Sequence, residues 1–138
     1  MSNQPRWNDA TVEAAVNAVT ALLNSGTIQI YTGSQPALDG SLTGTLLATL
    51  TFGATAFGSA TASGGTVTAT ANTITNGTAG NTGTAGYFAV VTSGSATVAT
   101  GSVGTSGADM NLNSLSISAG ATVSCSAFTI TEVQNPDG

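Results

Sequence analysis

Thr27-Ile28-Gln29-Ile30-Tyr31 is where the hydrophobic period of this chain changes. Before it, apolar residues recur every three or four positions. From it onward they recur every two, so Ile28 and Ile30 face one side and Thr27, Gln29 and Tyr31 the other, as in a half-buried β-strand. The upstream segment, residues 9–25, reads as the only helix. Val12, Val16, Val19 and Leu23 make one apolar stripe, and five alanines supply strong helix formers. Asn8 or Asp9 is placed to cap its start, Asp9 and Glu13 suit the positive end of its dipole, and Gly26 is placed to end it in the left-handed conformation. Two readings of the helix stay open: it packs on its own sheet, or it docks on a neighbouring subunit.

Downstream the two-residue period returns in several runs. Thr45–Phe52 puts Leu46, Ala48, Leu50 and Phe52 on one face. Thr66–Ala71 opposes Val67, Ala69 and Ala71 to three threonines. Ala85-Gly-Tyr-Phe-Ala-Val-Val-Thr92 is apolar on both faces and reads as a central strand. Residues 96–103 and 112–118 read as further strands. In 121–132, Val123 and Cys125 lie on one parity and Phe128 and Ile130 on the other, so a bulge near Ala127 is needed to bring all four to one face. Phe57, in the small-residue stretch 53–65, reads as a plug into the core. The 33–43 loop, with turn chemistry at Pro36 and Asp39-Gly40, and the 76–83 loop are expected to be exposed. The expected fold is mainly β: an antiparallel β-sandwich or jelly-roll-like domain with one N-terminal α-helix. Residues 1–26 form the arm and helix, 27–133 the sandwich and 134–138 a polar tail.

Composition narrows the function. Thr, Ala, Gly and Ser make up 80 of 138 residues, and charged residues only 5%, with one Arg, six acids, no Lys and no His. Without His, the usual general base and the commonest metal ligand are missing, and Ser-His-Asp and Cys-His centres cannot be assembled. One Cys gives no intrachain disulfide and no thiolate zinc site. One Arg does not neutralise a run of phosphates or hold an anionic membrane, so neither nucleic acid nor membrane is expected as a partner. Paired carboxylates are the one catalytic class left, and no spacing marks a pair. Asp9, Glu13, Asp39, Asp109, Glu132 and Asp137 each have a structural reading; for Asp109 it is a side-chain bond to a nearby backbone amide. A calcium site from Asp39, Asp109 or the 76–83 loop lacks an acidic loop pattern. Gly101–Gly107 has glycine spacing but no Lys, and reads as a connection between strands. Cys125 reads as a buried, inert thiol. No enzyme, no cofactor and no metal is expected. The polar start Met1–Trp7 lacks the apolar run of a secretory signal.

Leu22–Pro36, Thr49–Gly58, Gly101–Leu112 and Val123–Glu132 together resemble a family, in order along nearly the whole chain. They are similar to the small structural proteins of tailed bacteriophages. The resemblance implies a virion component on head, neck or tail, and carries over no catalytic or cofactor residue. The expected role is a capsid decoration (cement) protein, with collar, neck, tail or fibre, including receptor contact, as the alternative. The expected partners are the major capsid protein or other virion proteins and copies of itself, in a homo-oligomer such as a trimer. Trp7, Val12, Val16, Val19 and Leu23 are the candidate interface residues, because Trp is favoured at interface hot spots and the valine stripe is available to a partner.

Overall fold

The computed structural model describes residues 7–37 and 39–133. Arg6, the polar tail 134–138 with Asp137, and most of the polar start lie outside them. The chain is mainly β, 44% strand and 11% helix. One helix, α1 (Asp9–Ala21), is followed by β1 (Thr27–Tyr31), β2 (Leu46–Phe52), β3 (Thr61–Ser63), β4 (Thr66–Thr70), β5 (Ile74–Thr75), β6 (Gly77–Thr78) and β7 (Gly83–Thr84). Then come β8 (Tyr87–Val91), β9 (Thr97–Gly104), β10 (Met110–Leu112), β11 (Ser116–Ile117), β12 (Thr122–Val123) and β13 (Cys125–Val133).

Nine strands form one sheet in the order β3-β4-β13-β10-β9-β8-β1-β2-β5. Every pairing is antiparallel except β9 with β10, which is parallel. The sheet is curled, and its aromatic rings show how far. Phe128 on β13 packs edge-on against Phe88 on β8 with centroids 5.4 Å apart. Three strand steps separate these strands, which a flat sheet would spread over about 14 Å. Phe57 joins Phe128 at 5.7 Å and Phe52 on β2 at 5.6 Å. The sheet therefore folds over on itself into a sandwich-like form, with four phenylalanines linked across its middle and Phe57 as the expected plug.

The decisive strand pair holds as read. β1 sits between β2 and β8, with Ile28 opposite Val90 and Ile30 opposite Phe88, all buried. All five residues of β8 are buried, as suits a central strand covered on both faces. In β2 a register shift beside Tyr31 leaves Leu47 as the extra residue, so Leu47 is buried and Leu46 exposed, the reverse of simple alternation. In β13 the shift falls between Cys125 and Ala127, beside the position where parity required it. Val123 and Phe128 are buried, and Cys125 and Ile130 are half-buried.

Several expectations need correction. The helix stops at Ala21, short of residue 25. Asn8 occupies the N-cap but its side chain makes no cap hydrogen bond. The left-handed residue after the helix is Ser25 (φ 58°), not Gly26. Gly26 is required for a different reason: a Cβ there would collide with the Val91 carbonyl oxygen and lie 2.9 Å from that of Leu23. The 76–83 segment is not a free loop. Its ends form β6 and β7, which pair with β12 and β11. Gly77 lies too close to the Thr49 carbonyl for any side chain, and Gly80 N–H donates to Leu47 O at 2.9 Å. This glycine-rich run thus lies along β2 where β5 does not reach, and Gly77 and Ala79 are buried.

Candidate functional site

The helix carries two flanks with different fates. Val12, Val16 and Leu23 are buried in the chain's own core, against β4, β3 and β13. Thr20, not Val19, completes this inner stripe. Its hydroxyl donates to Asn17 O within the helix (3.1 Å), so burying it leaves no unmet polar group. Three of the five candidate interface residues therefore hold the helix to its own sheet and are not available to a partner. Val19 is 40% exposed and Trp7 54% exposed, and Leu22, which sequence reasoning passed over, is 54% exposed. Thr11, Ala15, Ala18 and Leu22 recur at spacings of four, three and four, with Val19 beside them, and all are exposed. This outer flank has no charged side chain from Ala14 through Leu22.

Between the two flanks runs a polar line that ties the helix to the stretch before β4. The Glu13 carboxylate accepts from Ala62 N–H, Asn17 Oδ1 from Ala60 N–H and Asn24 Oδ1 from Ala56 N–H, each at 2.9 Å. β3 is an edge strand, and Glu13 satisfies one of its outward amides. Glu13 was legible only as a dipole partner, because spacing within the helix says nothing about what crosses it.

Asp109 Oδ2 accepts from Ser102 N–H (3.0 Å) and Ser102 Oγ–H (3.1 Å), the backbone tie expected of it. Asp39 sits in an exposed turn with φ 60°. Asp9 and Glu132 are exposed. Among the described residues no three of His, Cys, Asp and Glu come together around a possible metal position. No described helix is long and apolar enough to cross a membrane.

On the sheet face away from the phenylalanines, Tyr31 and Tyr87 stack at 5.3 Å with planes 10° apart. Tyr87 is buried, and its hydroxyl donates to Thr43 O (2.6 Å) and accepts from Thr43 N–H (2.9 Å). Gln35 Nε2 donates to Thr100 Oγ1 at 3.0 Å. The 33–43 loop is thus exposed in most of its side chains, as expected, yet anchored at both ends. Burial, and then the neighbouring Tyr87, raise the Tyr31 phenol above its ordinary value of 10.0. Cys125 is half-buried rather than buried, on the wall of a cleft of about 340 Å³ bounded by Thr70–Ile74 and Phe128. Comparison with protein-family models, curated proteins and solved structures finds no match to the chain.

Proposed function

We propose that this chain is a non-enzymatic structural protein of a tailed-phage virion, a capsid decoration protein that seats on the head lattice through the outer flank of α1. The observation that carries the reading is that flank: Leu22, Val19, Ala15 and Ala18 exposed together on a helix whose other side is committed to the core. A partner surface covering it gains about 25 cal/mol per Å² of apolar area removed from water. The role this supports is mechanical. Each copy adds contact area across neighbouring shell subunits, and many weak seats together resist outward pressure. Two features of the sequence suit such an array. Small side chains permit close packing, and a net charge of −5 limits repulsion among repeated copies.

The resemblance to virion proteins supports a place on the particle, and copy number tests which place. Quantitative mass spectrometry of purified particles should find the chain in hundreds of copies, as repetition over a shell requires. A dozen or fewer would overturn the decoration role in favour of collar, neck, tail or fibre. Docking is tested with Val19→Glu and Leu22→Glu, both on the exposed flank. Melting should be unchanged and particle binding lost; undiminished binding would refute the seat. Point variants serve better than a truncation, because deleting the helix removes Val12, Val16 and Leu23 from the core.

A further inference from the structure

Among the described residues, one length of β9 has no strand along one side, and Gln35 bonds the Thr100 side chain there rather than its backbone. β9 pairs with β8 from Thr97 to Ser102. On its other side β10 reaches only Val103 and Gly104. From Thr97 to Gly101 that side has no neighbouring strand among the described residues. Across the same opening, β13 pairs with β10 only from Cys125 to Phe128, and from Thr129 onward its only partner is β4.

One bond fixes the direction of the edge groups. Ser102 N–H points away from β8, to Asp109 Oδ2. In an antiparallel ladder the direction repeats every two residues, so the N–H and C=O of Thr100 also face the opening. The side chains mark the same place. Ala99 shares the core-facing parity of Gly101 yet is exposed, and Ile130 on β13 is half-buried, whereas Val67 and Ala69 on β4 are sealed.

The rest of the edge is protected. Glu13 and Asn17 bond the backbone at and just before β3, α1 lies over it, and β5 is only two residues long. Thr97-Val98-Ala99-Thr100-Gly101 carries no charge and no proline, two of the usual devices against edge pairing, while a register shift at Val98 limits the regular edge to Ala99–Gly101.

We infer that this edge is a self-association site: β9 pairs antiparallel with β9 of a second copy about a two-fold axis near Thr100, which continues the sheet from one chain into the next. The occupant follows from what the edge offers. Its complement is an extended strand with the same alternation of donors and acceptors. A second copy supplies that, with Thr100 N–H facing the carbonyl of the same residue and the reverse. It also brings no charge to the contact. In this register the two Ser102 residues, and the Asp109 carboxylates bound to them, are four residues apart. That is roughly 14 Å, beyond the screening length of about 8 Å at physiological salt. The added strand also covers Ala99. The inference is independent of the virion reading: a chain that pairs through β9 in solution and never binds a particle would support this proposal and sink that one.

The test uses sedimentation velocity with amide hydrogen exchange on the whole chain, from dilute to concentrated solution. Thr100→Pro removes an N–H that points away from β8. Ala99→Glu leaves the backbone untouched and sets like charges beside the axis. The expected result is a monomer–dimer equilibrium in which the Thr100 amide slows about tenfold or more as the dimer fills, with association about tenfold weaker in both variants at unchanged melting. If Thr100→Pro lowers the melting temperature, Ala99→Glu decides alone. A chain that stays monomeric overturns the proposal. So does a dimer that Ala99→Glu leaves intact, or one that Leu22→Glu abolishes instead, which would put the contact on the helix.

Discussion

The β3 and β9 edges of the same sheet are handled in opposite ways. At β3 a helix lies alongside, its apolar stripe seals the inner face, and a carboxylate and an amide from its polar line take up backbone N–H groups. At β9 a single carboxylate, Asp109, takes up one amide at Ser102, and the five residues before it are left open. The lesson is that a chain with almost no charge protects an edge by placing a helix over it. Where no helix reaches, the edge is available.

The comparison breaks most severely if the helix is loosened. Leu23→Ala should cost about 2–5 kcal/mol, because a fully buried side chain leaves a cavity between α1 and the sheet. Calorimetry should show the loss, and the uncovered β3 edge should make the variant aggregate at concentrations where the parent stays clear. Glu13→Ala is milder. It strands the half-buried Ala62 amide for about 1 kcal/mol, readable from denaturant midpoints, with faster exchange of that amide as the specific sign. Asp109→Ala sharpens the contrast from the other side. It should cost under about 1 kcal/mol, since Ser102 is exposed, while lengthening the open edge and tightening self-association in sedimentation.

The smallest effect lies away from both edges. The Tyr31 phenol is raised in the fold, so its contribution is present below pH 10.0 and lost as pH climbs through the higher folded value. Melting followed from neutral to strongly alkaline pH should fall off less steeply in Tyr31→Phe.

How much of this was legible depended on the length of the run. β1, β4 and β8 each keep a two-residue period, or a solid apolar run, over five residues, and their buried faces followed from the sequence alone. The bulge in β13 was legible too, because four apolar residues on two parities cannot share a face without one. The two-residue ladders β6, β7, β11 and β12 were not. Their partners lie far apart in the chain, and Gly77-Thr78 or Gly83-Thr84 has no period to read. On the helix, Val19 outweighed Thr20 as an apolar residue, but position on the helix decides burial, and the Thr20 hydroxyl meets its own need through Asn17. The exposed Leu22 lies outside the stripe of Val12, Val16, Val19 and Leu23, so its spacing did not single it out. Asp109 was read correctly because its partner is only seven residues away.

Trp7 is the chain's one tryptophan, and it stands more than half exposed at the head of the helix. Its fluorescence therefore reports the folding of the chain only in part. With 54% of the residue exposed in the native state, emission should start partly red-shifted and move only part of the full way through the thermal transition. The same placement makes it an optical reporter of company: a blue shift on mixing would signal a neighbour closing over the head of the helix, with no label attached.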